Sequence, residues 1–231
     1  MKITKTELFF ILSPITAIPL ILKDVYNNKA NAYFLIILIF AFASYLYLPE
    51  NTDDKAYYFK LHEIYKVMTL NQLFLNISMQ GTDFIFYLII FLFANAGFTF
   101  TFTSAIITGL TVYLYLLIYQ INLSKFNLNK YISFFFFIMF ITTRSLPGIF
   151  SGIRFYLASA FVLFGLYESI IERKTLKGIV FLTLGTFTHF SVLIYLVFVL
   201  FYIISKKNTT LIKIIFIFSF IFLILPKDLL I

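Results

Sequence analysis

Apolar runs of about 15 to 22 residues, separated by short polar turns, recur along the whole chain. Each approaches the ~20 residues that a helix needs to cross a ~30 Å hydrocarbon layer. The pattern predicts spans near 7–22, 33–48, 99–120, 131–146, 153–171, 177–189, 191–205 and 210–226. The expected fold is all-α: a polytopic helical membrane protein with about eight transmembrane spans, forming a single membrane domain over residues 1–231. The first run contains Pro14 and Pro19 and lacks a small-residue cleavage pattern, so it reads as a span and not as a secretory signal.

Two stretches depart from the simple pattern. Residues 177–204 would make about 42 Å of continuous helix, longer than the bilayer core, so a split near His189 into two short arms is expected. A long tilted helix is the alternative. Between Pro49 and Asp83 lies the long polar stretch, expected at the outer face. Within it, residues 56–77 place Tyr58, Leu61, Tyr65 and Met68 at helical spacing, which predicts an amphipathic helix resting on the membrane surface. The apolar run 84–93, closed by Asn95 and Gly97, predicts an interfacial or half-inserted helix.

Composition supports the membrane reading, because 61% apolar against 12% charged residues exceeds what one soluble core of this length can hide. The net charge of +8 does not suggest nucleic acid, since the basic residues form no stripe. They cluster at Lys23 and Lys29, at Lys125 and Lys130, at Arg173, Lys174 and Lys177, and at Lys206, Lys207 and Lys213. Placing these loops in the cytoplasm satisfies the positive-inside rule and puts the amino terminus outside. Absence of cysteine excludes disulfides and thiolate chemistry, and neither histidine has carboxylates at ligand spacing, so no metal or cofactor is expected.

With this topology Asp53, Asp54, Tyr57, Asp83, Arg144, Arg154 and His189 converge on the outer side. Ionisable groups at membrane depth cost roughly 2.5 to 3.5 kcal/mol each on insertion scales, and they mark functional sites. Arg144 and Arg154 flank the Pro147–Gly148 break, and planar guanidinium suits phosphate and diphosphate oxygens. Snorkelling to headgroups is the alternative, weaker for Arg154 because the positive-inside rule disfavours a basic residue there. His189, between Thr188 and Phe190, is either a hydrogen-bonded core group or a proton donor and acceptor near neutral pH. Asp53 and Tyr57 share a helical face, which suits sugar binding or deprotonation of a hydroxyl, although a solvated acidic loop would look the same.

The order of these features resembles the EpsG-type members of the Wzy-like polysaccharide polymerases. The resemblance is carried by Asn51-Thr52-Asp53 with Tyr57, by Ile153-Arg154 with Leu157-Ala158, and by Phe187, His189, Ser191 and Leu193. It implies a multi-span enzyme of the bacterial cytoplasmic (inner) membrane, related to GT-C-like membrane glycosyltransferases. Such an enzyme joins oligosaccharide repeat units carried on undecaprenyl diphosphate at the outer face, producing a surface polysaccharide. Carried over, Arg154, His189 and Asp53 are catalytic candidates, while Arg144, Tyr57, Asp54 and Ser191 are substrate-binding candidates. The implied partners are the lipid-linked oligosaccharide, the membrane and other polysaccharide assembly and export proteins, with no nucleic acid.

The sequence departs from the family pattern at Asn51, where glycine is usual, and at Asp54, where an aromatic is usual. Such polymerases generally continue through further spans after the histidine region, so the expectation here is a truncated reading frame, a naturally short homologue or one part of a larger assembly. A flippase or transporter of lipid-linked glycan requires the same cationic cavity, although it often carries paired broken helices. A non-catalytic export component would tolerate alanine at Arg154 and His189.

Overall fold

The computed structural model describes residues 4–51, 53–80, 83–126, 128–142 and 146–207, with Thr210 and Lys213. These residues form helices and turns with no strand among them. The helices are α1 (Lys5–Leu12), α2 (Pro14–Tyr26), α3 (Ala30–Leu46), α4 (Asp54–Tyr65), α5 (Leu70–Gln80), α6 (Phe84–Asn95), α7 (Phe100–Phe126), α8 (Lys130–Thr142), α9 (Leu146–Ser151), α10 (Ile153–Leu166), α11 (Thr175–Thr188) and α12 (Leu193–Lys207). A π turn, Tyr167–Ile171, prolongs α10, and a 3₁₀ turn, Phe190–Val192, joins α11 to α12.

Among the described residues, Phe100–Phe126 and Ile153–Ile171 are the helices long and apolar enough to cross a membrane, and five further apolar helices are shorter. Large apolar side chains stand exposed from α1 to α12, among them Leu12, Phe34, Phe135, Val180 and Phe198. Soluble monomers rarely leave so much apolar surface uncovered, and with these apolar helices the chain is a membrane protein.

The first predicted span is not one helix. Pro14 has no N–H to give and disfavours helical geometry at Ser13, which takes φ −162° and ψ 107°. The chain turns back there, so α1 and α2 form a hairpin. Thr6 Oγ1 donates to Asp24 Oδ2 at 2.6 Å, and Asn31 Nδ2 donates to Glu7 Oε1 at 2.8 Å. The start of α1 therefore shares the end of the bundle that carries Asp24 and Lys29. This corrects the expectation that the amino terminus and that basic turn lie on opposite sides.

Helix α7 is the shared wall of two cores. One face packs Val112 and Leu116 with Ala17, Ile21, Ile36 and Phe137 from α2, α3 and α8. Another packs Ile107 and Tyr115 with Tyr58, Phe86, Ile90, Leu157 and Phe161 from α4, α6 and α10. In lipid there is little hydrophobic drive between helices, so close packing and interhelical hydrogen bonds hold them. Between α3 and α7, Thr108 Oγ1 donates to Ser44 Oγ at 2.9 Å, and Gly109 lets Ala41 approach. Between α10 and α11, Gly165, Gly178 and Gly185 lie so close to the facing helix that an added Cβ would come within 3 Å of it.

The amphipathic segment folds differently from a surface helix. Tyr58, Leu61 and Tyr65 of α4 are buried in the core beside Phe86, Phe91 and Phe100, not laid on lipid. Lys55 and His62 of the same helix are fully buried with them. Burial pushes the His62 imidazole below its ordinary value. Helix α6, with 12 residues, is about 18 Å long, short of a bilayer crossing. It packs into the same core, and Asn95 Nδ2 ties it to α4 through the Tyr65 carbonyl at 2.9 Å.

The two ends of the bundle differ in chemistry. At one end Lys125 pairs with Glu172, and Lys177 pairs with the buried Glu168 at 2.7 Å. At the other end lie Asp83, Arg154 and His189, because α10 and α11 both run the length of the bundle between these groups.

Candidate functional site

The site is built where α10 begins and α11 ends. Gly152, with φ −91° and ψ 45°, separates α9 from α10, and Arg154 stands in the first turn of α10. Helix α11 stops because His189 is extended, with φ −155° and ψ 113°, and the chain resumes as the 3₁₀ turn and α12. The break predicted near His189 is thus present in the fold. It delivers the imidazole and the Phe190 N–H to the same place as Arg154.

Asp83 links them. Its Oδ2 accepts from Arg154 Nη1 at 2.5 Å and faces His189 Nδ1 at 3.4 Å, while its Oδ1 accepts from the Phe190 N–H at 2.8 Å. Asp83 is only 8% exposed, and a carboxylate this buried persists because a guanidinium and a backbone donor compensate its lost hydration. The Arg154 guanidinium carbon lies 5.5 Å from the centre of the buried Tyr58 ring, a cation–π contact. Its Nη2 is 3.9 Å from Asp54 Oδ2, and its Nε is buried with no hydrogen-bond partner among the described residues. The Phe155 ring meets the His189 ring edge to face at 5.8 Å.

The other candidates are distributed around this cluster. Asp53 is turned away from Arg154: its Oδ2 accepts from the Tyr47 hydroxyl at 2.7 Å and the Glu50 N–H at 3.1 Å. Asp54, the next residue, is the acidic side chain of this pair that approaches Arg154. Tyr57 is half exposed, with its ring 5.1 Å from that of Tyr58. Ser191 is exposed and lines a cavity of about 320 Å³ with Phe155, Ser159 and Tyr195. Arg144 lies outside the described residues.

The sequence places Asp83 on the outer side with the others but marks no role for it. An aspartate directly before an apolar helix reads as an N-cap. Here it occupies the cap position of α6 but makes no side-chain cap bond, and its oxygens serve Arg154 and the helix break. That use depends on residues 71 and 107 positions away, which local pattern does not register.

Lys55 sets the approach to the site. Its ammonium donates to the carbonyls of Ser44 at 2.6 Å and Tyr47 at 3.1 Å, closing the carboxyl end of α3 onto α4. Burial lowers its pKa from 10.5 to about 8. The unfolded chain therefore holds a proton that the folded chain releases between about pH 8 and 10.5, so this group's contribution to stability rises with pH across that window and is lost as pH falls through about 8. Thermal unfolding in detergent should show this rise in the wild type and lose it in Lys55→Met. Equal slopes in both would remove Lys55 as its source.

No curated protein and no solved structure matches the chain. The model of the EpsG family matches residues 51–227, a stretch that runs from the turn before α4 to beyond α12 and contains Asp83, Arg154 and His189. Given a match over most of its length, the chain belongs to the EpsG family.

Proposed function

We propose that this protein is a polytopic polymerase that joins lipid-diphosphate-linked oligosaccharide units at the outer face of the bacterial cytoplasmic membrane. Membership of the EpsG family supports a polymerase-type role in polysaccharide biosynthesis. About eight spans, a GT-C-like architecture, an undecaprenyl carrier and export proteins as partners belong to the same proposal. The observation that carries it is the meeting of Arg154 and His189 on one buried carboxylate at a helix break.

In this reading Arg154, joined by Arg144, takes the diphosphate oxygens. Asp54, Tyr57 and Ser191 contact sugar. A hydroxyl oxygen of the acceptor unit forms a bond to the anomeric carbon of the growing glycan. The bond from that carbon to the phosphate oxygen breaks, and the lipid diphosphate leaves with the electron pair. The hydroxyl proton passes to His189 Nε2, since Nδ1 is the nitrogen that faces Asp83. Asp53, assigned to the acceptor unit in this reading, is the second candidate base. Charge grows on the leaving oxygen, where a preorganised guanidinium in a partly desolvated site acts most strongly.

Expression in a host deleted for its own polymerase tests the assignment. Long lipid-linked glycans are the expected product. Single units, with the protein present at normal membrane levels, would exclude polymerisation and leave a transporter or an export component.

A further inference from the structure

The polymerase reading uses Arg154 as a ligand for diphosphate, yet Arg154 is already engaged. It faces two carboxylates, Asp83 at 2.5 Å and Asp54 at 3.9 Å, so among the described residues one guanidinium stands against two carboxylates. An incoming diphosphate has to loosen one of these contacts to reach the guanidinium. Asp54 is half exposed and solvent-screened, so Asp83 dominates.

Asp83 also fixes geometry. The same carboxylate holds Arg154 in the first turn of α10 and the Phe190 N–H beyond the end of α11, and it faces the ring of His189. Without it, the extended residue at the break has no tether to the start of α10 among these three bonds.

We propose that Asp83 is a positioning residue with two opposed effects: it holds Arg154 and the helix break in register for reaction, and it competes as the resting counter-ion that the donor diphosphate displaces. The proposal rests on the polymerase reading for its substrate, and on the three contacts of Asp83 for its mechanism. The two effects have opposite kinetic signs. Removing the charge favours ground-state binding of an anion, while letting Arg154 or the break lose its alignment disfavours turnover.

Asp83→Asn keeps an acceptor for the Phe190 N–H but removes the charge. It is expected to lower KM for the lipid diphosphate donor about threefold to tenfold and to lower kcat by at least roughly tenfold. Asp83→Glu restores the charge and should return KM toward the wild-type value. A kcat loss with KM unchanged or raised would reduce Asp83 to a folding role and overturn the counter-ion assignment.

Two measurements stand apart from polymerisation. Farnesyl diphosphate should bind purified Asp83→Asn more tightly than wild type, and equal binding would overturn the proposal. The chain has no cysteine, so Ser191→Cys supplies a single thiol beside the break. Its maleimide labelling should accelerate when Asp83→Ala is added, and an unchanged rate would show that Asp83 does not hold the break. If wild type makes only single units, the polymerase reading falls while these two measurements still decide the role of Asp83.

Discussion

Arg154→Ala is expected to abolish chain elongation, lowering kcat by about 10²- to 10³-fold, the usual consequence of removing a preorganised donor from a developing anion. Lipid-linked glycan should stop at single units while the protein remains in the membrane. The loss has a geometric as well as an electrostatic cause. Tyr58 lies beneath the guanidinium, Asp83 aligns one edge, and the Nε edge has no hydrogen-bond partner among the described residues. Lysine carries the charge without the forked donors, so Arg154→Lys should recover only part of the activity.

A stability effect needs to be separated from a catalytic one. Alanine at 154 leaves Asp83 buried without its guanidinium, and an unpaired buried charge destabilises by a few kcal/mol, of order 3 to 5. The double variant Arg154→Ala with Asp83→Asn removes that unpaired charge. Elongation should remain absent in it while thermal stability recovers. Long chains from either variant would take Arg154 out of the reaction.

Gly178→Ala is expected to be the most damaging small substitution in the fold. An added Cβ would sit 1.8 Å from Ser169 Oγ and 2.7 Å from the Gly165 carbonyl oxygen, so both a side chain and a helix backbone must move. Overpacking costs about 1 to 3 kcal/mol in ordinary cores, and backbone displacement belongs at the upper end or beyond. Because lipid supplies little hydrophobic drive, loss of this close approach directly weakens the α10–α11 pair. Reduced yield of monodisperse protein and a lower unfolding temperature are the expected readouts.

Adding Ser169→Ala should rescue Gly178→Ala only in part, since it removes the hydroxyl clash but not the carbonyl contact. Gly109→Ala is the contrasting case, because its nearest side-chain atoms lie at ordinary van der Waals distances of 3.6 and 3.7 Å. Wild-type-like behaviour of Gly178→Ala would mean that α10 and α11 separate there without cost.

Much of the architecture follows from the chain's own pattern. Long apolar runs dictate helices, and the 61% apolar content dictates a membrane setting. The interruption at His189 was legible because 28 residues are too many for one straight crossing. Arg154 and His189 were legible because ionised or polar groups are costly among apolar residues and stand out against them.

Tertiary packing decided what pattern leaves open. An apolar stripe on α4 is equally satisfied by lipid or by Phe86, Phe91 and Phe100, and only the position of α6 and α7 selects the protein core. Pro14 breaks the helix at Ser13, but the folding of α2 back along α1 is held by Thr6 on Asp24 and Asn31 on Glu7, so two short helices share a segment that reads as one span. Asp53 and Asp54 are neighbours in sequence, yet Lys55 and Tyr47 fix the turn so that Asp53 caps it and Asp54 faces Arg154. Asp83 becomes central through partners far along the chain. Sequence periodicity thus determined which residues form helices and which polar groups are out of place in them, because both follow from local geometry and solvation. Which of those groups meet was decided by helix packing, because a charge at membrane depth is stable only beside the particular partners that the fold brings to it.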